Sequence, residues 1–160
     1  MSSTVTRALI LMGALLVLAA LDYSIYGKEQ IIRSGEPIYL ELAPVDPRSI
    51  MQGDYMALRF QLVDAIEGSL SSAPSTANRR APIVLDDRRI ATLAPAGGKS
   101  DLLVRYRLRN GRVWLGTNAY FFEEGSASRF VDARFGEFRV DRASGEAVLV
   151  ALRDREMRVL

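Results

Sequence analysis

The chain has no cysteine and no histidine in 160 residues. Without cysteine there is no disulfide, no thiolate nucleophile and no thiolate metal site. Without histidine, the commonest general base and the commonest transition-metal ligand are both gone. Ser-His-Asp triads, Cys-His pairs and zinc hydrolase or deaminase chemistries are therefore excluded, and neither a metal site nor a cofactor is expected. Lysine occurs only at positions 28 and 99, so nearly every cation is arginine. The 21 basic residues are interspersed with 19 acidic ones, for a net charge of +2, and no Lys/Arg block exceeds two. That pattern lacks the concentrated footprint of a nucleic-acid binder, and no nucleic-acid partner is expected. A phosphate-cradling glycine loop is missing too. Gly97-Gly98-Lys99-Ser100 matches only the tail of a Walker A motif, without the upstream glycine or a following helix, and reads as a turn.

Against these absences stands one long apolar run. From Ala8 to Leu21 fourteen consecutive residues carry no polar side chain, and the segment through Tyr26 counts nineteen. About 20 residues cross a hydrocarbon core, so residues 8–27 are expected to be a transmembrane anchor after a short tail at 1–7. Tyr23 and Tyr26 fit an interfacial belt, with Asp22 near the far interface and Lys28 just outside. Two rivals remain at this point. One is a signal peptide cleaved after Ala19 or Ala20; the other is a buried core helix, disfavoured by the lack of any polar face. Membrane lipid is the first expected partner. The expected placement is the cytoplasmic (inner) membrane, single-pass, with the short tail inside and the long domain extracytoplasmic, since long domains translocate largely regardless of charge.

After a charged stalk at 28–36, able to extend the helix as far as Gly35, residues 37–160 read as a single β domain. Ile38, Leu40 and Leu42 recur at period two, as do Met56, Leu58, Phe60 and Leu62, which predicts strands at 38–43 and 54–62. Between them lies a loop with two prolines, a glycine and two aspartates. A flexible insertion is expected around 67–81, where serine is frequent. Residues 83–93 form a hairpin around Asp86-Asp87-Arg88-Arg89. Asn110-Gly111 turns a second, in which Leu102, Val104, Tyr106 and Leu108 alternate with a mostly cationic face. Its return strand runs from 112 to about 122, with Trp114 placed to stack on Arg107 or Arg109. A loop or one helical turn at 126–135, strands at 136–140 and 147–152, and a closing edge strand at 153–160 complete the chain. With about eight strands and no long amphipathic helix after the anchor, the expected fold is all-β. It would be an antiparallel sandwich or partly open barrel preceded by one N-terminal transmembrane helix.

Pro44-Val45-Asp46-Pro47-Arg48 followed by Gly53-Asp54-Tyr55-x-x-Leu58-x-Phe60 resembles the signature of the GDYXXLXY family of bacterial membrane-anchored proteins. Phe-Phe-Glu-Glu-Gly at 121–125, Ala-Arg-Phe-Gly-Glu at 133–137 and Leu-Arg-Asp at 152–154 also look like that family's pattern. Phe60 stands where the signature has tyrosine. The family has no established activity. Its members are described beside multi-span membrane proteins, so the resemblance implies a multi-pass membrane protein as partner.

The residues singled out as motif or partner-binding positions are Asp46, Arg48, Gly53, Asp54, Tyr55, Leu58, Phe60, Glu123, Glu124, Arg134 and Glu137; no catalytic residue is assigned. Asp46 before Pro47 and Asp54 after Gly53 fit turn-capping roles. Asp54 paired with Glu123 or Glu137 would instead suit acid–base hydrolysis or a hard cation, and Arg48, Arg134 or Arg139 would neutralise such acids. Two function classes follow. The first is an accessory or interaction module for a membrane partner, more an adaptor than an enzyme. The alternative is a membrane-bound hydrolase of envelope material, using carboxylates or a signal-peptidase-like pair of Ser49 with Lys28 or Lys99. An enzyme needs paired acids in a cleft. A scaffold needs each acid tied to arginine or backbone.

Overall fold

The computed structural model describes residues 3–43, 51–52, 55–70 and 79–160. Helix α1 (Ser3–Ser34) opens the chain. Its Leu9–Ser34 stretch is long and apolar enough to cross a membrane, and is the one such helix among the described residues. At 1.5 Å per residue its 26 residues span about 39 Å, more than the ~30 Å of a hydrocarbon core. Leu11, Leu15, Leu18 and Ile25 are all exposed, so the helix is no core element of the domain. The Gly35 amide donates to the Ile31 carbonyl at 2.8 Å, and β1 (Glu36–Glu41) starts at the next residue. One residue separates helix from sheet.

After β1 come β2 (Met51–Gln52), β3 (Tyr55–Ala57), helix α2 (Gln61–Leu70), β4 (Arg80–Leu85), β5 (Ala91–Leu93), β6 (Leu102–Arg105), β7 (Arg107–Arg109), β8 (Arg112–Trp114) and β9 (Ala119–Phe121). A 3₁₀ turn at Ala127–Phe130 precedes β10 (Phe135–Val140) and β11 (Ala147–Arg153). Among the described residues these eleven strands make four small antiparallel sheets, ordered β1-β10-β11, β2-β3-β9, β5-β4-β6 and β7-β8. The all-β domain after a single helix is what periodicity led one to expect. Ile38, Leu40, Phe60, Ile66, Ile83, Val104, Phe138 and Leu152 form its core. End strands β10 and β11 also receive the last turns of α1.

Both expected hairpins form. Leu85 faces Ala91 across the first, and Arg109 faces Arg112 across the second. In the second, Asn110 and Gly111 take φ of 52° and 76°, the pair of positive values that a two-residue turn matching the strand twist requires. The Arg109 guanidinium lies over the Trp114 ring at 5.4 Å, although the residue directly opposite Trp114 in the register is Arg107.

Four local expectations are corrected. The strand over 54–62 ends at Ala57, and Gln61–Leu70 is an amphipathic helix, the element not anticipated after the anchor. Leu62 belongs to two patterns at once, the period-two series 56-58-60-62 and the helical series 62-66-70. Burial of Leu62 and Ile66 on one face selects the helix. Asp64 lies in its first turn, where the helix dipole favours an anion, and is bound by Arg59 at 2.9 Å. Residues 67–70 of the expected insertion are thus helical, residues 80–81 open β4, and 71–78 lie outside the described residues. The return strand after Asn110-Gly111 breaks at Gly116 (φ 66°), and its second half, β9, joins another sheet. The last residues form no full edge strand. The Asp154 carboxylate accepts from the Arg158 amide at 2.8 Å and pairs with its guanidinium at 2.7 Å, closing a turn that leaves only an Arg153–Val159 bridge.

Candidate functional site

The family-like segments converge on two places. The first is the interior. Strand β3 pairs with β9 so that Met56 and Leu58 enter the core, while Tyr55 lies opposite Phe121 on the surface. Beyond β3 the backbone stays extended, bridging Leu42 to Phe60, and Phe60 points inward again. Its ring meets Phe138 edge-on with centroids 5.3 Å apart. A β-carbon on Gly136 would lie 2.8 Å from Phe60 Cε1 and 3.1 Å from both Leu149 Cδ1 and Phe138 Cε2. Glycine at 136 is therefore the space into which the Phe60 ring fits. Two motifs far apart in sequence are halves of one packing unit.

The second place is the other face of β10. Glu137 sits opposite Tyr39 in the sheet register and is buried. Arg153 clasps it, with Nε and Nη2 at 2.7 and 2.6 Å from Oε2, and Arg139 lies 3.3 Å from Oε1. The Arg153 guanidinium also covers the Tyr39 ring at 5.5 Å and donates to the Met157 carbonyl. Two cations thus satisfy one buried carboxylate, the arrangement that makes such a charge tolerable away from water. At the start of the sheet, Glu36 is held by Arg89 and by Arg142, the latter 2.5 Å away. Burial works to raise the Glu36 carboxyl, but hydrogen bonds and charge from these two arginines outweigh it and hold it below its ordinary value.

The remaining sequence-predicted residues divide clearly. Tyr55 is half-buried, its ring 5.9 Å from Phe121, and Phe121 is 75% exposed. Glu123 and Glu124 are exposed just past β9, and the Glu123 carbonyl takes the Ser126 amide and hydroxyl at 3.0 and 2.6 Å. Arg134 is exposed and donates to the Ala133 carbonyl at 3.2 Å rather than to an acid. Asp46, Arg48, Gly53 and Asp54, together with Ser49, lie outside the described residues. The expected pairing of Asp54 with Glu123 or Glu137 involves a residue outside the described ones; among the described residues, Glu137 is bound by Arg153 and Arg139. Lys28, the lysine proposed for a Ser/Lys pair, is bonded to Glu146. Among the described residues no group of three or more acids is placed to hold a metal ion.

Other acids follow the same rule. Asp86 accepts from the Arg88 and Ile90 amides at 2.9 and 2.7 Å, and Asp101 from the Leu85 amide at 2.8 Å. Hydrogen bonds from Ser144 hold the Asp141 carboxyl below its ordinary value. Glu67 on α2 accepts from the Val113 amide at 2.8 Å and ties that helix to β8.

A family model described as GDYXXLXY protein matches residues 17–152. The chain belongs to the GDYXXLXY family. No curated protein and no solved structure matches it. In this GDYXXLXY member, among the described residues of the signature, Leu58 and Phe60 are core residues and Tyr55 is half-buried, so this part of the signature serves packing. Residues overlooked in sequence are Arg153, Tyr39, Glu36, Arg89 and Arg142. The one available signal was Leu-Arg-Asp at 152–154, whose arginine is the main partner of Glu137.

Proposed function

We propose that this GDYXXLXY protein is a single-pass, membrane-anchored interaction module, with α1 in the cytoplasmic membrane and the β domain on its extracytoplasmic side. It would act as an accessory to a multi-pass membrane protein. The observation that carries this reading is α1 itself: a helix whose residues 8–21 are apolar on all sides, with one residue between its end and a packed β domain. So short a connection makes the membrane helix and the domain one lever rather than a tethered pair. The tying of Glu36, Glu137 and Asp154 to arginine, and of Asp86, Asp101 and Asp141 to backbone amides, supports a scaffold. The length of the domain after the span supports the orientation, since long domains translocate largely regardless of charge.

The proposed contact surface is the β2-β3-β9 sheet, where Phe121 stands exposed beside Tyr55, two residues before the exposed Glu123-Glu124. An exposed aromatic braced by a second ring is the kind of anchor that dominates interfaces. Co-purification of the full chain in mild detergent tests it. A membrane protein recovered stoichiometrically with the native chain, and lost with Phe121→Ala/Glu123→Ala at unchanged thermal stability, is the expected result. Loss of about 2 kcal/mol from one aromatic anchor lowers affinity roughly thirtyfold. Equal recovery by both chains would remove this surface from the reading. Release of the native chain from membranes by alkaline carbonate would overturn the anchor.

A further inference from the structure

A cleft of about 660 Å³ opens between the end of α1, the β7–β8 hairpin and the start of β11. Its charged lining is five cations, Lys28, Arg79, Arg105, Arg107 and Arg109, against one acid, Glu146. That acid is already engaged by Lys28. The arginines arise from strand alternation: Val104 and Tyr106 turn into the core, which forces Arg105 and Arg107 outward together. The register adds Arg80 directly opposite Arg105. Like charges placed opposite one another destabilise a sheet. The side chains of Arg79, Arg105 and Arg107 are exposed, and none has a carboxylate partner among the described residues. Arg109 is held over Trp114.

The position of this charge is as informative as its amount. A second groove, about 620 Å³, shares Lys28, Arg105, Arg107 and Glu146 with the first and runs along α1 past Gly27 to Tyr23. Tyr23 and Tyr26 are where the apolar run meets its polar end, the depth of lipid headgroups for a spanning α1. The cationic cleft is therefore continuous with the part of the helix that leaves the bilayer. Guanidinium forks match the oxygens of a phosphate in pairs, and an anion there would relieve the crowding of Arg80, Arg105 and Arg107.

We propose that this cleft binds the phosphate of an anionic phospholipid headgroup in the leaflet facing the β domain, with Arg105 and Arg107 as its principal ligands. Arg79 and Lys28 add charge, and Trp114 forms a wall. The protein would then be held at a fixed depth and tilt by one lipid, beyond the hold of α1 alone. This inference rests on α1 spanning the membrane, and the two are tested separately.

The full chain is reconstituted in phosphatidylcholine nanodiscs containing a minority of phosphatidylglycerol. Quenching of Trp114, the only tryptophan, is read from a headgroup spin label carried either by phosphatidylglycerol or by phosphatidylcholine. Labelled phosphatidylglycerol should quench at far lower fractions than labelled phosphatidylcholine, and salt should weaken the difference. Each arginine near a membrane surface contributes about fivefold, so Arg105→Gln/Arg107→Gln should lower the apparent affinity about 25-fold. Arg107→Lys, which keeps the charge and loses the fork, should fall between. Both variants are compared with the native chain for thermal midpoint, and the single variant serves if the double one fails to fold. Equal quenching by the two lipids, or a preference untouched by the substitutions, overturns the proposal. Displacement of the labelled lipid by dissolved glycerol phosphate at similar concentration would assign the cleft to a free phosphate instead. A chain that inserts without lipid preference refutes the cleft assignment alone; one that fails to insert refutes both.

Discussion

A single methyl group added at Gly136 probes the packing unit that unites the family's two segments. The added β-carbon of Gly136→Ala would sit 2.8 Å from Phe60 Cε1, with Leu149 Cδ1 and Phe138 Cε2 both at 3.1 Å. All three neighbours are side chains, and Phe60 and Phe138 are fully buried, so the rings can yield only by leaving their rotamers or displacing the strand. Overpacking of this kind costs about 1–3 kcal/mol. Replacing glycine by alanine in a strand returns roughly 0.5–1 kcal/mol through the unfolded chain, leaving a net loss of about 1 kcal/mol at the middle of these ranges. For a domain of this size that lowers the melting midpoint by about 4–8 °C. Phe60→Leu removes the atom in closest conflict and should itself cost about 1–2 kcal/mol through lost contact. Combined, the two changes should be less damaging than their sum by about 1 kcal/mol, because the smaller side chain makes room for the methyl. Thermal unfolding of the four full-length chains in detergent, followed by near-ultraviolet circular dichroism, supplies the cycle. A Gly136→Ala chain that melts at or above the native midpoint, or strict additivity in the double variant, would refute the interlock. The paired occurrence of the two segments would then need another cause.

Two further outcomes follow from the ion pairs. Glu137→Ala strands Arg153 and Arg139 beside each other and should destabilise by about 2–4 kcal/mol, whereas Arg59→Ala, which breaks the exposed pair with Asp64, should cost under about 0.5 kcal/mol; urea unfolding of each variant reads the difference, and equal costs would contradict the burial of Glu137. Glu36 supplies the acid sensitivity: its carboxyl is held below its ordinary value of 4.5, so its stabilisation is fully present above about that pH and is lost as pH falls through the lower folded value. Glu36→Gln should therefore narrow the gap in melting midpoint between neutral and strongly acidic buffer, and an unchanged gap would place the sensitivity elsewhere.

Local regularities of the chain told much about this fold. A fourteen-residue apolar run states a helix long and apolar enough to cross a membrane without reference to any other segment. Asn110-Gly111 states its own turn, because positive φ at two successive positions is a property of those residues. Period-two alternation at 38–42 and 102–108 identified the buried faces, since a strand buries every second side chain whatever it packs against. The alternation failed where Leu62 fitted two periods, and only the pocket that receives Leu62 and Ile66 chose between them. It failed again at Gly116, where one apparent strand is divided between two sheets.

For the site the division is sharper. The sequence by itself determined the family signature, the absence of histidine and cysteine chemistry, and a long apolar helix ahead of an all-β domain. Only the tertiary structure decided that Glu137 meets Arg153 and Arg139, that Gly136 is the space for Phe60, and that Arg79, Arg105 and Arg107 gather at the foot of α1. The physical reason is range. Turn chemistry and hydrophobic period are written within a few residues, whereas charge partners and cavities form between strands up to a hundred residues apart, and no local pattern records which strand will lie next to which.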